Sequence, residues 1–153
     1  MKTIGSRLSK NLSMLAAVVL LGACAASGPR YEAAAQAPAG KGLVYIYRPG
    51  KFMGGGVVFD VHAGPKADNH PVVELASGGY FPYYAEPGEL ELWSKTESTS
   101  SVTLDVKAGQ TAYVRGSIGV GFFVGRPSLE VVDHNTGERE IRECKLLPAA
   151  MGN

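Results

Sequence analysis

From residue 41 to residue 147, apolar residues come in short runs separated by clusters of Gly, Pro, Asn and Asp. This is the punctuation of strands and turns and leaves little room for a long amphipathic helix. The constraint is tightest over residues 89–107. Leu90 and Leu92 share one face of an extended segment, and Glu89, Glu91 and Trp93 share the other. After the polar residues 95–100, Val102, Leu104 and Val106 alternate with Thr103, Asp105 and Lys107. Slipping either run by one residue would turn its apolar set toward water, so the two segments predict a hairpin of fixed register. The fold class that follows is all-β: an antiparallel β-sandwich or barrel-like sheet of about seven to eight short strands, with room for one short C-terminal helix.

The other segments fit this frame. Leu43, Tyr45 and Tyr47 alternate with Val44, Ile46 and Arg48 before Pro49-Gly50; both faces are apolar, which predicts a central strand. Val57, Phe59 and Val61 oppose Val58, Asp60 and His62 in a second strand, and residues 71–75 form a third. Gly78-Gly79 leads into Tyr80-Phe81-Pro82-Tyr83-Tyr84, where the proline lacks a ladder donor and predicts an edge or a bulge. Residues 110–117 and 129–132 read as further strands, and residues 118–124, with Gly119 and Gly121, as a loop or a bulged strand. Asp133 to Thr136 offer cap residues for a helix through residues 138–143, although Ile141 alone gives it little apolar face. The expected core holds Tyr45, Leu90, Leu92, Val102, Leu104, Val106, Val114 and Val131.

Before this domain, Lys2, Arg7 and Lys10 precede an apolar stretch over residues 14–21, which ends in Leu21-Gly22-Ala23-Cys24. The stretch is short for a membrane span, and the run ending at Cys24 resembles the lipobox of bacterial lipoprotein signal peptides. That resemblance implies cleavage before Cys24 and acylation of its thiol and new amino group. Several acyl chains make a stable anchor where one would bind only marginally. The expected organisation is a signal over residues 1–23, a lipidated N-terminus and flexible tether over 24–40, a single β domain over 41–147 and a tail over 148–153. Location follows: the cell envelope, lipid-anchored, with outer-membrane placement facing the periplasm expected because Ala25, and not Asp, follows the cysteine.

The whole chain carries 15 Lys and Arg against 14 Asp and Glu, and loss of three cations with the signal leaves an acidic excess. No basic stripe interleaved with aromatics is present, so nucleic acid is not an expected partner. With Cys24 lipidated, Cys144 has no intramolecular partner; it is a buried thiol or an intermolecular link.

Gly42-Leu43-Val44-Tyr45-Ile46-Tyr47-Arg48-Pro49, residues 75–80, Glu86-Pro87-Gly88 and Ala108-Gly109-Gln110-Thr111-Ala112-Tyr113-Val114 together resemble domain of unknown function 2846, a group of small bacterial lipoproteins. These motifs are strand cores and turns; the resemblance implies a scaffold and transfers no active site. A shorter likeness, the Pro-Gly turn before alternating apolar residues, is to small carbohydrate-associated or surface-layer β-sandwich modules.

No catalytic constellation has recognisable spacing. His62, Asp68 and His70 surround a loop but match no usual zinc pattern, and read as solvated loop residues. His134 beside Asp133 reads as a helix flank. Gly54-Gly55-Gly56 lacks the Lys-Ser/Thr ending and helix of a phosphate cradle, and Ser77-Gly78-Gly79 lacks the pattern of a nucleophile elbow. Cys144 beside Lys145 reads as inert if buried against Leu146 and Leu147. No cofactor and no metal is expected. The candidate binding surface is aromatic: Tyr80, Phe81, Tyr83, Tyr84 and Trp93, then Phe122 and Phe123 between glycines. The same rings also suit a core and an edge-strand cover. The expected function is a lipid-anchored binding or scaffolding module without catalysis, with the membrane as one partner and an envelope protein or glycan as another. The alternative is an envelope enzyme, hydrolase-like, which would need titratable residues converging in a pocket.

Overall fold

The computed structural model describes residues 25–34, 37–51, 54–67 and 70–150, so Cys24, the expected signal and Asp68 lie outside the described residues. Two sheets face each other. The first joins β1 (Gly42–Arg48), β4 (Gly79–Ala85), β7 (Thr111–Gly119), β8 (Arg126–Val132) and β9 (Lys145–Leu146) in the order β8-β7-β1-β4-β9. The second joins β2 (Phe59–Ala63), β3 (Pro71–Leu75), β5 (Gly88–Lys95) and β6 (Thr99–Val106) in the order β3-β2-β5-β6. Helix α1 (His134–Ile141) packs on the outer face of the first sheet, capped by Asp133, whose carboxylate accepts from the Thr136 amide at 3.0 Å.

The fold is a β-sandwich, and the β5–β6 hairpin has the expected register, with Leu90 opposite Leu104 and Leu92 opposite Val102. Two pairings depart from the antiparallel expectation: β1 with β7 and β4 with β9 run parallel. These partners are joined by long excursions, and local alternation carries no information about which distant strand comes alongside. β9 is a two-residue strand that periodicity does not mark. It pairs only with Gly79 and Tyr80, so Pro82 sits on an open edge of β4, where its missing donor costs no ladder bond.

β1 is central because both its faces are covered. Val44 and Ile46 point between the sheets, among Val61, Val73, Leu75, Leu92 and Val114, all fully buried. Leu43, Tyr45 and Tyr47 point outward into a second cluster with Tyr80, Tyr113, Ile141 and Cys144. Fully burying an aliphatic or aromatic side chain contributes about 1.5–3 kcal/mol, so this outer cluster is a substantial part of the core. One expected core residue is displaced. Val131 lies on the same side as Leu129 by alternation, but on edge strand β8 it is 46% exposed while Leu129 is 6% exposed.

The tether is corrected over residues 25–34: Ala26 packs into the inter-sheet core, residues 29–31 pair with β9 at the edge of the first sheet, and Tyr31 and Ala34 cover its outer face. Ala25 bridges to Ser77 and Arg30 to Lys145, and the Tyr31 amide donates to the Cys144 carbonyl at 2.9 Å. Tyr31 meets Tyr45 and Tyr80 edge-on, with ring centres 5.4 and 5.2 Å apart, and the Tyr45 hydroxyl accepts from the Ala34 amide at 2.8 Å. The segment is ordered by a tyrosine strip that it completes; its Ala, Gly and Pro composition alone does not disclose that partner.

Candidate interaction site

The aromatic group expected to form one surface is divided by strand alternation. Tyr80 is 5% exposed beneath Tyr31, and Phe81 and Tyr83 pack partly buried against the inter-sheet core. Tyr84 is 41% exposed at the far end of β4. Trp93 is 5% exposed: it stacks on His62 across β2 and β5 at 4.0 Å, and its indole N–H donates to the Gly64 carbonyl at 3.1 Å. Tyr80 and Trp93 are therefore structural. The turn after β2 covers the tryptophan, a tertiary contact that alternation along β5 does not foretell.

The glycine-framed pair is different. Val120, Phe122, Phe123 and Val124 are 91%, 89%, 92% and 52% exposed, and no other large apolar side chain among the described residues exceeds half. They form the tip of the β7–β8 connection, residues 120–125. This tip is held by a carboxylate: Glu97, in the β5–β6 turn, accepts backbone N–H bonds from Phe122 at 2.8 Å, from Phe123, from Val124 and from Gly125 at 3.4 Å. Thr96 adds a hydroxyl bond to the Gly125 carbonyl at 2.6 Å. Gly125 has φ +112°, and a Cβ on Gly121 would lie 2.5 Å from Gly125 Cα and 2.6 Å from the Glu97 carboxylate. Both glycines are required by the tight approach. Sequence reasoning placed the phenylalanines but missed Glu97, whose signal, one acid in a polar turn, is indistinct from its neighbours.

The four N–H donors stabilise the charged carboxylate and hold Glu97 well below its ordinary value of 4.5, at about 2. A depressed carboxyl contributes order that is complete above its ordinary value and is lost as pH falls through the lowered one. Measured relative to their intrinsic rates, the amides of Phe122, Phe123 and Val124 should thus exchange slowly from neutral pH down to about 5 and lose that protection, giving quick relative exchange, toward pH 2. Glu97→Gln should already show the quick exchange at neutral pH; equal protection in the variant would show that the carboxylate does not hold the loop.

A second concavity collects charge. A cleft of about 410 Å³ is lined by Arg48, Lys51, Arg115, Glu130, Glu140 and Glu143, among others. Its central groups are already partnered. Arg115 donates to Glu130 and to Glu140, each at 2.8 Å, and the Tyr47 hydroxyl donates to Glu140 at 2.8 Å. Glu130 and Glu140 hold the Arg115 guanidinium above its ordinary value, and burial followed by the Glu140 bond raises the Tyr47 hydroxyl. Cys144 is wholly buried behind them, with its thiol pushed up to about 12, first by burial and then by Glu140 and Glu143. A neutral thiol is neither nucleophile nor ligand. Native protein should resist iodoacetamide at Cys144 at about pH 9, where an ordinary thiol reacts, and label fully once unfolded; rapid native labelling would contradict this burial.

His62, expected on a solvated loop, instead lies inside β2, 6% exposed and stacked on Trp93, and no group of three His, Cys, Asp or Glu among the described residues is placed to hold a metal. No helix among them is long and apolar enough to cross a membrane. The family described as "Protein of unknown function (DUF2846)" matches residues 38–126, which span β1 to β7 and the exposed loop. The chain belongs to this family. In this DUF2846 protein the match stops at the first residue of β8, leaving α1, β9 and the docked segment 25–34 outside it. No curated protein and no solved structure matches the chain.

Proposed function

We propose that this DUF2846 protein is a bacterial lipoprotein, anchored through Cys24 in the cell envelope on the periplasmic side of the outer membrane. In this reading it acts as a binding or scaffolding module and not as a catalyst. The observation that carries the proposal is the loop of residues 120–125, where two phenylalanines and two valines are held in solvent by a dedicated carboxylate. Exposed apolar patches of this kind mark interaction sites, because isolated loops gain nothing by displaying such side chains. The lipobox-like run Leu21 to Cys24 and its basic flank support the anchor. The alternative, an envelope hydrolase, would use either the Arg115 cleft, where Glu130 and Glu140 are taken up by Arg115 and Tyr47, or the cleft lined by Asp60, His62, Lys66, Lys95 and Thr99.

Intact-mass analysis of the protein purified from membranes tests the anchor. The expected N-terminus is Cys24 carrying a diacylglyceryl group, and Cys24→Ala should shift the protein to the soluble fraction. An unacylated N-terminus, or unchanged fractionation of the variant, overturns it.

A further inference from the structure

We infer that the loop of residues 120–125 rests on the lipid bilayer that holds the N-terminal anchor, so that the domain stands on its membrane in one orientation. The inference depends on the anchor proposed above and adds the identity of the surface that the loop meets.

Strand directions place the loop and the anchor at the same end of the sandwich. β1 ends at Arg48, which pairs with the first residue of β4, and β7 runs past that point to Gly119. On the other sheet, β5 ends at Lys95 close to the start of β2. The two sheets are tied together here by Thr96 to Gly125 and by the Arg48 guanidinium to the Val57 and Gly54 carbonyls. Ala25, the residue after Cys24, joins this end through its bridge to Ser77, whose hydroxyl also accepts from the Lys51 amide at 3.3 Å. Ala25 and Val58 line one groove, and Val57 and Phe123 line the hollow beside it. Adjacent residues of one loop thus join the emergence of the chain to the apolar tip.

Because Ala26 is buried and residues 25–34 are bonded to the sheets, little free chain separates acylated Cys24 from the folded body. The bilayer must therefore lie close to this end, and the apolar tip is the projection that meets it. Two phenylalanines and two valines on a loop suit the boundary between headgroups and acyl chains. The exposed cations Lys51, Lys95 and Arg126 at this end suit anionic headgroups, while the acid of the β5–β6 turn that holds the loop, Glu97, has its charge taken up by backbone donors.

The test uses the protein purified from membranes and reconstituted in vesicles of phosphatidylethanolamine and phosphatidylglycerol containing nitroxide-labelled lipid. A fluorophore is placed through Val120→Cys, which leaves both phenylalanines intact, or through Lys107→Cys at the opposite end. Quenching at position 120 is expected to exceed that at position 107 about tenfold, since bilayer depth separates them. Phe122→Ser/Phe123→Ser in the Val120→Cys background should abolish the excess, and unchanged thermal melting would confirm an intact fold. Equal, weak quenching at 120 and 107 overturns the inference, as does quenching at 120 that survives loss of both rings or arises only when a second envelope protein is added. The mass of the same sample separates the two readings. An acylated Cys24 with an unquenched loop refutes the bilayer contact alone; an unmodified Cys24 with a quenched loop refutes the anchor alone.

Discussion

Replacing Arg48 with methionine is expected to lower the stability of the domain by about 2–4 kcal/mol in urea unfolding, with little change in the slope of the transition. Arg48 is 3% exposed, and its guanidinium donates to the carbonyls of Val57 and, at 2.6 Å, Gly54, and lies 5.6 Å over the Phe59 ring. Methionine fills most of the stem's volume but supplies no donor, so both carbonyls lose a charged partner, each such bond being worth roughly 1.5–3 kcal/mol. Burial draws the guanidinium below its ordinary value, and release from that desolvation offsets part of the loss. The effect should be concentrated in the β1–β2 connection, with faster amide exchange at Val57. A loss under about 1 kcal/mol would mean that water replaces the guanidinium without penalty.

Gly137→Ala should destabilise by about 2–3 kcal/mol, opposite in sign to the ordinary effect of alanine within a helix, which favours it over glycine by about 1 kcal/mol. An alanine Cβ at 137 would lie 2.2 Å from Cγ and 2.5 Å from Cβ of Tyr113. Tyr113 stacks on Tyr45 at 5.5 Å and is 3% exposed, so it has nowhere to retreat, and α1 must lift from the sheet. Tyr113→Leu should cost stability alone yet make the alanine tolerable, giving a coupling energy of about 1 kcal/mol or more in a double-mutant cycle. Stabilisation by Gly137→Ala would show that the helix does not pack this closely.

Local alternation made the β5–β6 hairpin, the central position of β1 and the capped helix after β8 legible in the sequence, because each depends on residues near one another in the chain. What alternation does not carry is what lies above a strand. Tyr80 and Trp93 look like surface aromatics until Tyr31 and the Gly64 turn are placed over them. The tether was misread for the same reason, its partner being a tyrosine strip assembled from β1 and β4. Phe122 and Phe123 stood out as a candidate surface because two adjacent rings cannot both point inward if the segment is extended. Glu97 did not, because its role depends on a loop some 25 residues away in the chain.

In-cell photocrosslinking tests most directly whether the 120–125 loop is the working surface. A photoreactive side chain is placed in turn at Phe122, at half-exposed Tyr84 on the first sheet and at Glu143 in the charged cleft. Adducts are expected from position 122, carrying lipid mass, with positions 84 and 143 nearly silent. Adducts from position 143 or 84 with none from position 122 would place the working surface elsewhere and contradict the account.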